Sequence, residues 1–109
     1  MPIALGNITT SVSNAYVSSG NTAITFLSIT NYSAGNATAN VYVVPSGSTA
    51  GNLNIVITQL ELTASGNGTG DTYQLYAGGE KLLLSNGDSI QVNASANNSI
   101  TTVTSYTTI

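Results

Sequence analysis

The chain has 109 residues, 5% of them charged against about 25% in ordinary soluble domains, and a net charge of -3; Lys81 is the only basic side chain, and histidine, cysteine and tryptophan are absent. That composition leaves no disulfide framework, no thiolate zinc site, no histidine base and no Ser–His–Asp triad. One lysine cannot neutralise a row of phosphates, and no apolar run approaches the ~20 residues that span a bilayer, so neither nucleic acid nor membrane is an expected partner.

The opening segment, Met1-Pro2-Ile3-Ala4-Leu5-Gly6, has no charged n-region and no long apolar stretch. It does not read as a secretory signal, so either synthesis in a cytoplasm or a start after processing is expected. Residues 1–7 read as an uncharged extended arm, with Ile3 and Leu5 able to lie against a neighbour. The first strand is expected over Ile8–Val17, ending at Ser18-Ser19-Gly20-Asn21. The second, Ala23–Asn31, is the most apolar of the early segments and is placed centrally. The third, Ala37–Val44, stops at Pro45, which cannot donate to a ladder.

The fourth strand is expected over Leu53–Thr63. Leu53, Ile55 and Ile57 share one parity, whereas Leu60 and Leu62 share the other, which predicts a bulge or a crossing between sheets. Ala64–Gly70 is glycine-rich and reads as a loop; it lacks the lysine and spacing of a phosphate-binding loop. The fifth and sixth strands are Asp71–Ala77 and Glu80–Leu84, joined at Gly78-Gly79. Asn86-Gly87 predicts a hairpin into the seventh, Ser89–Ala96, and the eighth is Ile100–Ile109. Strands at 8–12-residue spacing joined by short turns indicate an all-β fold: one antiparallel β-sandwich of about eight strands over 1–109, jelly-roll or Greek-key like. The expected core is Phe26, Leu27, Ile29, Val41, Val43, Ile55, Ile57, Leu75, Leu82, Leu84, Ile90 and Val92.

Candidate sites are sparse. Asp71, Asp88 and Asn86 offer oxygen to a cation, but no DxDxDG-like cluster surrounds them, so no structural calcium and no other cofactor is expected. Four separated acids give little choice of a glycosidase pair, and an enzyme is not expected. Lys81 beside Glu80 reads as an edge-strand lysine rather than a crosslinking one. The six Asn-x-Ser/Thr sequons follow from a chain with thirteen Asn and thirty Ser plus Thr. Tyrosine combines apolar area with a hydroxyl and suits interfaces. Tyr42 and Tyr76 have the parity opposite the expected core face, so with Ile3 and Leu5 they form the candidate interface set.

Two stretches carry a resemblance: Thr22-Ala23-Ile24-Thr25-Phe26-Leu27-Ser28-Ile29-Thr30-Asn31, and Tyr76-Ala77-Gly78-Gly79-Glu80-Lys81-Leu82-Leu83-Leu84-Ser85-Asn86-Gly87-Asp88-Ser89-Ile90-Gln91-Val92. In length, composition and strand order the chain resembles small virion structural proteins of tailed bacteriophages of marine and cyanobacterial hosts. The resemblance implies a non-enzymatic β-sandwich in the virion, made in the host cytoplasm. Its expected partners are copies of itself and other virion proteins such as the major capsid protein. Capsid decoration is the leading station and neck or tail the next; a carbohydrate-binding or adhesin-like module is the rival. The near absence of charge implies contacts made by apolar patches, tyrosines and strand edges.

Overall fold

A computed structural model describes residues 3–63, 72–75 and 82–109. Among the described residues nine strands are formed: β1 (Ile3–Ile8), β2 (Ser13–Val17), β3 (Thr22–Asn31), β4 (Ala37–Val44), β5 (Ile55–Leu62), β6 (Thr72–Leu75), β7 (Leu82–Leu84), β8 (Ser89–Ala94) and β9 (Ile100–Thr108). Every strand pairing is antiparallel.

The strands divide into two sheets. One runs β1-β9-β3 with both β6 and β7 on the far side of β3; the other runs β2-β8-β4-β5. β6 pairs with residues 27–30 of β3 and β7 with residues 22–24, in the same direction, so the two form successive pieces of one edge strand. Counting them as one leaves eight strand positions, four per sheet. Their interleaved order, with first beside last in one sheet and second beside next-to-last in the other, is that of a jelly roll. Two predicted segments map differently onto this order. The expected strand Ile8–Val17 is broken into β1 and β2, which belong to opposite sheets. The break follows from side chains competing with the ladder: Thr9 Oγ1 donates to the Ser11 carbonyl and accepts from the Ser11 N–H. The segment considered as an arm supplies residues 3–7 of β1, paired along β9.

Asn86-Gly87 does not close a hairpin. Its turn carries the chain from β7 in one sheet to β8 in the other. Only Gly87 has positive φ (88°), and a Cβ there would also collide with the Ser46 side chain. A type I′ hairpin turn needs positive φ at both central residues, and Asn86 does not supply it. The parity switch expected in the fourth strand is present. Gln59 takes φ 52°, the β4–β5 register shifts beside it, and its N–H donates to Asn40 Oδ1 at 2.7 Å.

The core lies between the sheets. Leu27, Ile29, Val41, Leu84, Ile90 and Val92 are buried as expected, and Val43, Ile57 and Leu82 pack against them. Ile8, Ile24, Leu62 and Ile100 join them, together with Ala15, Ala37, Ala39 and Ala94. Phe26 and Ile55 do not belong to the core cluster. The β3–β9 register shifts between Ile24 and Phe26, so Ile24 and Leu27 both face inward and Phe26 turns out beside Ser105. Ile55 is half-buried at the start of β5, opposite Tyr42, where the β4–β5 register shifts. The side chain of Leu75 lies outside the described residues.

Among the described residues, two core positions are polar without compensation. Thr102 and Thr104 of β9 face inward, fully buried, and neither hydroxyl has a hydrogen-bond partner. Leaving a buried hydroxyl unpaired costs about 1–3 kcal/mol. Thr104→Val keeps the shape and removes the hydroxyl, so it is expected to raise unfolding stability by about 1 kcal/mol, read as a higher urea midpoint at unchanged slope.

Candidate interaction faces

Three of the four site residues expected from sequence, Ile3, Leu5 and Tyr42, lie among the described residues, and they fall on two opposite surfaces. Ile3 and Leu5 alternate along β1 with the inward Ala4, Gly6 and Ile8, and are 59% and 77% exposed. Gly6 is required there because a Cβ would sit 2.6 Å from Thr102 Oγ1 of the neighbouring strand. Register extends the outward row across the sheet: Leu5 lies beside Val103, and Ile3 beside Ser105, which faces Phe26. Leu83 of β7, 67% exposed, continues the apolar surface on the far edge of the sheet. The outer face of this sheet therefore carries Ile3, Leu5, Phe26, Val103 and Leu83, set among threonines and serines. Sequence parity places Ile3 and Leu5 there. It does not place Phe26, because the bulge that turns it out has no glycine or proline to mark it.

Tyr42 is half-buried on the outer face of the second sheet, opposite Gln91 and Ile55. On the β8 side its neighbours are amides. Asn40 donates from Nδ2 to Asn93 Oδ1 at 3.0 Å while its own Oδ1 takes the Gln59 N–H. Asn14 stands beside Gln91 at the edge of the same face. Tyr42 thus cannot share one flat contact with Ile3 and Leu5: the apolar row and the amide cluster around Tyr42 lie on opposite sheets, back to back. Tyr76 lies outside the described residues, as do Asp71, Glu80, Lys81 and the glycine-rich segment 66–70.

Asp88 and Asn86 serve the loops at one end of the sandwich. Asp88 accepts the Ser46 N–H on Oδ1 at 2.8 Å and the Ser85 N–H on Oδ2 at 2.9 Å, joining the β4–β5 loop to the β7–β8 corner. Asn86 Oδ1 accepts the Gly20 N–H from the β2–β3 loop. Two amides donating to the charged form, Ser46 foremost and then Ser85, hold the Asp88 carboxyl below the usual carboxylate range. A depressed carboxylate pKa adds stability above the unfolded value of about 3.9 and loses it as pH falls through the folded one. Asp88→Asn is therefore expected to lower the melting temperature at pH 7, with the gap to the unaltered protein closing as pH drops below about 3.9. A gap that persists undiminished to pH 2 would show that the charge plays no part.

At the opposite end, a small cavity of about 150 Å³ is lined by Asn36, Thr38, Glu61, Leu62, Thr63 and Ser95. Drug-sized ligands use pockets of roughly 300–1,000 Å³, so this one suits solvent or a very small polar molecule. No grouping of three or more acids that could hold a metal ion occurs among the described residues.

Fold and faces together define a jelly-roll β-sandwich in which one sheet exposes an apolar row and the other gathers amides around Tyr42, with Val17 and Val56 exposed on its edge strands. No family model matches the sequence, and no curated protein or solved structure matches it.

Proposed function

We propose that the chain is a non-enzymatic structural protein of a tailed-phage virion, seated on the capsid as a decoration protein, with neck or tail as the second station. The resemblance of segments 22–31 and 76–92 to such proteins supports this reading. The observation that carries its mechanism is the apolar outer face of the β1-containing sheet, which offers contact area on a nearly uncharged chain. Five charged side chains cannot hold a salt-bridged interface. Affinity would come from apolar area and strand edges, towards copies of itself and the major capsid protein. Jelly rolls serve capsids and lectins alike, so the fold by itself does not choose.

The direct test is mass spectrometry of purified virions with stoichiometry: many copies per particle support decoration, a few support neck or tail, and none overturns the reading. Bound protein should also survive a rise from about 0.1 M to about 1 M sodium chloride, because screening acts on charges and not on apolar burial. The amide face gives a second reading some weight. Asn14, Asn40, Gln91 and Asn93 around Tyr42 are groups able to bond sugar hydroxyls. Glycan-array binding lost in Tyr42→Ala would favour a carbohydrate-binding module.

A further inference from the structure

We propose that β1 pairs antiparallel with β1 of a second copy, joining the two β1-containing sheets into one continuous sheet across a two-fold axis at Leu5. This deepens the self-assembly part of the function proposed above.

The four sheet edges are unequal. Proteins blunt exposed edges with bulges, charges, interruptions or short strands. β5 carries the bulge at Gln59 and the charge of Glu61. β2 has five residues and a register shift between Asn14 and Tyr16. Among the described residues, the edge formed by β6 and β7 comprises stretches of four and three residues. β1 has none of these devices: six residues, no charge, and unbroken one-to-one register with β9 from Ile3 to Ile8. Alternate residues of an edge strand turn their N–H and C=O groups away from the sheet, ready for another strand.

The chemistry selects a second copy as the occupant. An antiparallel pairing of identical strands is self-complementary under a two-fold axis. The axis stands perpendicular to the sheet, so outward residues must meet outward residues. Centring it on Leu5 pairs all of residues 3–7, sets Leu5 against Leu5 of the other copy, and covers the most exposed apolar side chain of the strand. With no charge on β1 and a net charge of only -3, like-charge repulsion is small. The contact is about five residues, or roughly 17 Å, long. That falls short of the ~800 Å² per partner in a stable interface, so pairing is weak in dilute solution and gains from crowding on a surface.

The test uses free protein, so its failure leaves the virion assignment to virion composition. The chain holds no cysteine. Directly opposed residues place their Cβ atoms about 4.5–5.5 Å apart, close to disulfide reach. Leu5→Cys should therefore form a disulfide dimer under mild oxidation. At about 0.1 mM it should do so roughly tenfold faster than Leu83→Cys, because pairing raises the effective thiol concentration to the millimolar range. The unaltered protein should show concentration-dependent self-association by sedimentation, abolished by Leu5→Arg. Equal crosslinking of the two cysteine variants, or a strictly monomeric protein up to about 1 mM, would overturn the proposal.

Discussion

Ile29→Ala is expected to cost about 3–5 kcal/mol, the upper part of the range for a fully buried branched side chain cut back to a methyl. Ile29 has no exposed surface and sits on β3, flanked by Thr102 of β9 on one side and Tyr73 of β6 on the other. Relaxation into the void is restricted because neighbours on both sides are held by ladder hydrogen bonds. Total stabilities of such domains are about 5–15 kcal/mol, so this loss is expected to lower the melting temperature by roughly 15–30 °C. Urea unfolding followed by tyrosine fluorescence reads it directly. Phe26→Ala provides the contrast, with an expected loss below about 1.5 kcal/mol, because that ring packs on the outer face where part of its area already meets water. Equal losses at the two positions would contradict the bulge-driven switch of facing in β3.

Asn31→Ala is expected to cost about 2–4 kcal/mol through a different mechanism, the orphaning of buried backbone groups. Asn31 is fully buried at the end of β3. Its Nδ2 donates to the Leu62 carbonyl and the Gly35 carbonyl, each at 3.0 Å. Its Oδ1 accepts the Ser33 N–H at 2.9 Å and the Ser33 hydroxyl at 2.8 Å. One amide thus secures the β3–β4 turn and ties it to the end of β5 in the opposite sheet. Asn31→Asp should be at least as damaging at neutral pH, since a carboxylate cannot donate to Leu62 and carries an unpaired charge indoors. Near-neutral stability for both variants would mean that water replaces the lost bonds. The burial of Asn31 also closes its sequon, Asn31-Tyr32-Ser33, to glycosylation of the folded chain.

Legibility of the fold in the sequence depended on whether a local signal had a chemical marker. β4 was readable to the residue, Ala37–Val44, because Pro45 cannot extend a ladder. The bulge at Gln59 was readable because apolar residues changed parity around it. The bulge at Thr25 was not, because Ile24, Phe26, Leu27 and Ile29 are apolar on both parities, and only the pairing with β9 decides which of them turns out. Asn86-Gly87 signalled a turn correctly, yet a turn motif does not state which sheet receives the next strand. For the interface set, alternation along β1 was enough to expose Ile3 and Leu5. That Tyr42 lies on the reverse of the molecule is a property of topology, which short-range patterns do not encode.

The position of β9 has a consequence for how the protein is made. β9 is the last of the nine strands, yet it lies between β1 and β3, and one of its contacts spans 95 residues, from Thr101 Oγ1 to the Gly6 carbonyl. Until β9 emerges from the ribosome, β1 has no neighbour in its own sheet and β3 lacks its longest partner. Contacts this distant in sequence require large loops to close before any gain arrives, which places folding on the millisecond-to-second side of small domains. Until β9 is made, a nascent chain of this kind carries bare, uncharged strand edges on β1 and β3, the condition under which β proteins aggregate. Assembly of the native sheet is thus a late, nearly all-or-none event, and deletion of Ile100–Thr108 should leave a chain that cannot fold at all, in contrast to the mild loss expected from trimming a peripheral strand.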